Sequence, residues 1–138
     1  MTKRIVSTIF LLSLLYVVGC GGGKYGDCIE LNERFIQLME EYVASLEKAV
    51  SAKEFAAAMN RFADGMEVLG PKMKEMAEKY PELKDKNNQP EGLKPSQEKA
   101  EQLAKKMAGS FMKIMFYMGD TEVQAAQKRF SKAMHTMM

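Results

Sequence analysis

The sequence predicts an all-α fold, an antiparallel four-helix bundle, and two observations carry that prediction. Between Phe55 and Tyr80 the apolar residues Phe55, Met59, Phe62, Met66, Leu69, Met73, Met76 and Tyr80 recur in alternating steps of four and three, a heptad seam. Around it lie three further segments with apolar residues three and four apart, each opened by a capping residue or a proline. With few strand signals, four amphipathic helices bury their stripes most simply against one another.

The chain opens with a different kind of segment. Lys3 and Arg4 precede an apolar run, Ile5 to Val18, that is short for a membrane-spanning helix of roughly 20 residues. A basic start, a short apolar stretch and small residues at its end are the marks of a secretory leader. The leader closes on Val17-Val18-Gly19-Cys20, which resembles the lipobox of bacterial lipoproteins. Val18 is bulkier than the Ala or Ser usual at that position. The resemblance covers only the first 20 residues. It implies cleavage of residues 1–19, lipid on Cys20 as the one modified site, and an acyl anchor (diacylglyceryl, palmitate-like chains) rather than a peptide one. Two chains hold a protein stably at a bilayer where one holds it only reversibly. Gly21 stands where inner-membrane retention in enteric bacteria would call for Asp, so in a bacterium with two membranes the resemblance implies the periplasmic face of the outer one.

Removal of the leader changes the charge. The chain has 20 basic and 18 acidic residues, and losing Lys3 and Arg4 leaves 18 of each. A neutral domain gives no reason to expect a nucleic-acid partner. Residues 20–26, with Gly21-Gly22-Gly23 and Gly26, are expected to be a flexible lipidated tether, and 27–138 the folded domain.

Helix one is expected over about 28–50, with Asp27 as N-cap, Glu30 completing a capping-box pair, and Leu31, Phe35, Leu38, Tyr42, Leu46 and Ala49 inward. Ser51-Ala52-Lys53-Glu54 is a capping box that separates it from helix two, 52–80. No Gly, Pro or Asn marks that break, and without it the first two helices would fuse into one rod. Pro71 removes a backbone donor and is expected to kink helix two without ending the seam. Tyr80-Pro81 ends it. Residues 81–95, with three prolines and Asn87-Asn88, form the long loop, expected to pack on the surface. Helix three follows over 96–118, with Leu103, Met107, Phe111, Ile114 and Met118 inward and Gly119 as its C-cap. Asp120 caps helix four, 121–137, which turns Val123, Ala126, Phe130, Met134 and Met137 inward. Residues 27–50 are acidic and 95–138 basic, so an up-down-up-down bundle would set helix one beside helix four.

The side chains needed for most chemistries are missing. His135 is the single histidine. Lys132, three residues before it, stands where a di-iron bundle needs Glu. No Cys-x-x-Cys-His is present for covalent haem. A haem held by His135 and Met39 would need ligands at one level, and these lie roughly 12 Å apart along the bundle at 1.5 Å per residue. Glu40 and Glu41 are neighbours on one helix and point in different directions. The expected function is therefore non-enzymatic, structural or partner-binding in the cell envelope, with no cofactor. Cys28 has three readings: a buried small hydrophobe, a disulfide to a second copy in a homodimer, or a metal ligand. The last belongs to an alternative drawn from the 13 methionines. Cys28, Met73, Met76, Met134, His135 and Met138 all fall at one bundle end, and thiolate, thioether and imidazole are ligands that select copper as Cu(I).

Overall fold

The structure, a computed structural model, describes residues 23–136. The Val17-Val18-Gly19-Cys20 leader end, Met137 and Met138 lie outside the described residues. Four helices follow one another: α1 Gly26–Lys48, α2 Ala52–Lys79, α3 Lys94–Tyr117 and α4 Thr121–His135. They form an all-α bundle, and none of the described helices is long and apolar enough to cross a membrane.

The Ser51 break holds. Ser51 adopts extended backbone, its Oγ accepts the Glu54 N–H at 3.3 Å, and Glu54 Oε2 reaches back to accept the Val50 N–H at 2.8 Å. The Glu54 contact lies one residue earlier than in a standard capping box, but orphan donors are satisfied in both directions. The Val50 N–H, first among its partners, holds the Glu54 carboxyl below its ordinary pKa. α2 then continues unbroken through Pro71. Phe55, Met59, Phe62, Met66 and Leu69 are buried along its seam, and Met73 and Met76 are partly so.

Other boundaries shift. Asp27 is not a cap: α1 begins at Gly26 behind Tyr25, with no side-chain cap, and Glu30 pairs with Arg34 instead. The 81–95 loop is ordered as three short 3-10 turns, Pro81–Lys84, Lys86–Asn88 and Glu91–Leu93, the last burying Leu93. Lys94 and Pro95 already belong to α3, as suits a proline in the first turn, where its missing N–H costs nothing. Gly119 is not a left-handed C-cap, since no described glycine has positive φ; α3 closes at Met118 through a bond from the Met118 N–H to the Met115 carbonyl. Asp120 caps α4 as expected, its Oδ1 accepting from Glu122 N at 2.8 Å.

The neighbour relations differ from the simple square. α1 packs on α2 and α3, and α2 packs most extensively on α4, while α1 and α4 approach little along their backbones. The expected pairing of helix one with helix four is replaced by α1 with α3, and the charges follow it: Lys99 of α3 meets Glu40 of α1 at 2.7 Å. Arg129 of α4 meets Asp64 and Glu67 of α2. Gly65 lets α1 and α2 come close, for a Cβ there would stand 2.5 Å from Leu38 Cδ1.

The main core joins α1, α2 and α4, with Leu46, Phe55, Met66 and Val123 fully enclosed and the rings of Tyr42, Phe62 and Phe130 packed together. A second, smaller cluster of Ile36, Val43 and Leu103 fastens α3 to α1. α3 thus packs chiefly on α1, and it brings to the main core only partly buried residues, Met107, Ile114 and Tyr117, with Met118 just beyond its end.

Candidate functional site

Two regions, at opposite ends of the bundle, carry the features that could bind something. The first is where the described chain begins. Lys24 Nζ pairs with Glu82 at 2.8 Å, the Tyr25 hydroxyl donates to the same carboxylate at 2.9 Å, and the Tyr25 ring meets the Tyr80 ring edge-on at 5.1 Å. The Tyr80 hydroxyl lies 2.8 Å from the Lys24 carbonyl oxygen, and Lys79 Nζ pairs with Asp27 at 2.6 Å. Lys24 and Tyr25, expected in a loose tether, are therefore fastened to the C-terminal end of α2. The Lys24 ammonium, a backbone N–H and the Tyr25 hydroxyl hold the Glu82 carboxyl down at about 2. The Lys79 ammonium does the same to Asp27, in direction. Each partner lysine is pushed up correspondingly.

Beside this clamp lies an open cavity of about 250 Å³. Leu31, Met73, Met76, Ala77, Leu83 and Leu93 make it largely apolar, Cys28 and Tyr80 share its wall, and Gln89, Gln97, Asn32 and Lys84 supply its polar groups. Cys28 is a free, half-buried thiol. Burial first, and the Asp27 charge second, push its pKa up and disfavour the thiolate.

Of the six residues grouped as soft metal ligands, Cys28, Met73 and Met76 line this one cavity. Met134, which like Met73 packs against the main core, does not line the cavity, and His135 is exposed at the end of α4. α4 has 15 residues against 28 in α2, and Arg129 sits level with Asp64 and Glu67, so α4 stops short of the cavity end. Met138 lies outside the described residues. Among the described residues no three of His, Cys, Asp and Glu gather as a metal group.

The second region is the far end of α3. The Tyr117 hydroxyl donates to the Val50 carbonyl at 2.8 Å, which sets the α3 C-terminus at the α1–α2 turn, away from the clamp. There Phe111, Met112, Met115 and Phe116 are exposed, Met112 by 77% and Phe116 by 82%. Val50 is exposed beside Met112 and Phe116, around a shallow hollow. Phe111 was expected inward; Ser110 is buried in its stead, because the side of α3 that meets α1 runs through Leu103, Ser110 and Tyr117. The sequence held a signal for this surface. Residues 110–118, SFMKIMFYM, carry one charge and apolar side chains nearly all round, more than one buried stripe can use.

Elsewhere the Glu54 cap and the Arg129 ion pairs displace their groups, and burial in the core pushes the Tyr42 hydroxyl up to about 12. Compared with known families, curated proteins and solved structures, the chain matches no family model, no curated protein and no solved structure.

Proposed function

We propose that this chain is a lipid-anchored helical bundle of a bacterial cell envelope, held at the membrane through Cys20, which carries out no catalysis and docks a protein partner through the far end of α3. The observation that carries the docking reading is the exposed run Phe111, Met112, Met115 and Phe116 with Val50. Large apolar side chains gathered on a surface, with aromatic and methionine residues prominent, are the composition of an interface core. Methionine adapts to irregular surfaces, which suits a docking face. The lipid reading rests on the Val17-Val18-Gly19-Cys20 sequence behind its basic, apolar leader. An outer-membrane, periplasm-facing address follows from Gly21 in that reading.

A photo-crosslinking amino acid placed at 112 or 116 in the full chain, expressed in its own envelope, tests the docking surface. The expected result is one discrete protein adduct from either site and none from 105 on the charged part of α3. Equal, diffuse labelling from all three sites would remove the proposal.

A second reading, a Cu(I)-binding bundle, is favoured by one observation: Cys28, Met73 and Met76 share a cavity wall. The raised thiol pKa works against it, since a metal must displace the thiol proton. Anaerobic titration of the full chain with Cu(I) against a chromophoric chelator decides between the two. Stoichiometric copper lost in Cys28→Ser and Met76→Leu would establish copper; none is expected.

A further inference from the structure

We infer that the cavity walled by Leu31, Met73, Met76 and Leu83 beside the Tyr25–Tyr80 clamp is a seat for one alkyl chain of this protein's own anchor. The inference rests on the proposed lipid at Cys20. Chemistry, size and position argue together for that occupant. The wall is mostly hydrocarbon and thioether, which suits a chain with no polar atoms of its own. The cavity, about 250 Å³ and open on one side, has room for part of an alkyl chain.

Position selects the source. Gly23 is three residues from Cys20, a span of at most about 10 Å in extended chain. Lys24, the next residue, is hydrogen-bonded through its carbonyl to Tyr80, which itself lines the cavity. The clamp therefore starts the described chain beside the cavity, within reach of acyl chains carried on Cys20, which would be present there at high effective concentration. For the carbons that enter the cavity the exchange with the bilayer is close to neutral, because they leave water in both places. The remaining chains keep the protein at the membrane.

The test uses the full chain in growing cells fed a fatty acid with a diazirine near its methyl end. After irradiation the protein is purified and its peptides are mapped by mass spectrometry. The expected result is the Cys20 peptide joined through its lipid to peptides containing Met73, Met76 or Leu83. In a detergent lacking alkyl chains, Cys28 should also react with a water-soluble maleimide at least ~5-fold more slowly in the lipidated protein than in Cys20→Ser, as a thiol loses access to solvent. Anchor chains crosslinked only to phospholipid, with Cys28 equally reactive in both proteins, would overturn the seat and leave the lipid anchor standing. Equal labelling of the cavity in Cys20→Ser would also overturn it, since the chain would then come from free lipid. Absence of any fatty acid on the purified protein would remove the anchor and the seat together.

Discussion

The Tyr80 hydroxyl stands 3.0 Å from Oδ1 of Asp27 and 2.8 Å from the Lys24 carbonyl oxygen, so the last residue of the heptad seam secures the first turn of α1. Tyr80 is nearly buried, and its ring meets that of Tyr25. Tyr80→Phe keeps the ring and removes the donor, leaving the Lys24 carbonyl to water. A cost of about 1 kcal/mol is expected, within the usual range for one intramolecular hydrogen bond. Denaturant unfolding followed by circular dichroism measures it. An unchanged midpoint would mean the clamp contributes nothing to the fold.

The same clamp should respond to acid. The Glu82 carboxyl is held down to about 2 when folded, against an ordinary 4.5, because Lys24, a backbone N–H and Tyr25 favour its charged form. A depressed folded pKa means that the unfolded chain takes up the proton first. The stabilisation is therefore fully present above pH 4.5 and is lost as pH falls toward 2. Glu82→Gln should flatten the fall in unfolding midpoint across that window and lower the midpoint at neutral pH by the same amount, a small one for an exposed pair. Parallel acid profiles for the two proteins would show that this pair carries no linkage.

At the opposite end, Ser51→Ala removes the acceptor for the Glu54 N–H and should cost about 0.5–2 kcal/mol. The turn should survive, because Tyr117 still donates to the Val50 carbonyl and Ala49 stays buried. A lower melting temperature with unchanged helix content and unchanged hydrodynamic size is expected. Gained helicity with a doubled size would mean that α1 and α2 fuse once the cap is gone.

Two helical glycines should behave oppositely to alanine. Gly109 faces open space, so Gly109→Ala should stabilise by roughly 0.5–1 kcal/mol through the backbone term alone. At Gly65 the new methyl would lie 2.5 and 2.6 Å from the Leu38 Cδ atoms and 3.1 Å from Cγ, so Leu38 must swing aside. Overpacking of that kind costs typically 1–3 kcal/mol, so Gly65→Ala should fall below Gly109→Ala by about that amount. Paired unfolding curves for the two variants check it, and equal gains would refute the close approach of α1 and α2.

The heptad seam of α2 was legible residue by residue, because Phe55, Met59, Phe62, Met66 and Leu69 face neighbours on both sides and periodicity alone fixes the buried edge. The Asp120 cap and the Ser51 break were legible from local hydrogen-bonding chemistry. Asp27 was misread for the opposite reason: its carboxylate is drawn to Lys79 and Tyr80, 52 and 53 residues away, and no local rule anticipates a distant competitor. The α3 face was missed because Phe111 fits the inward spacing as well as Ser110 does badly. Only the choice of α1 as α3's neighbour decides which edge is covered. The cavity was half legible: Cys28, Met73 and Met76 were placed at one end, but α4 is too short to bring Met134 and His135 there.

The intact mass of the protein isolated from membranes, measured beside that of Cys20→Ser, tests the lipid-anchored reading most directly. The expected mass is that of residues 20–138 with acyl chains attached, while Cys20→Ser carries no lipid. A wild-type mass equal to the unmodified 138-residue chain, with its leader still in place, would contradict it.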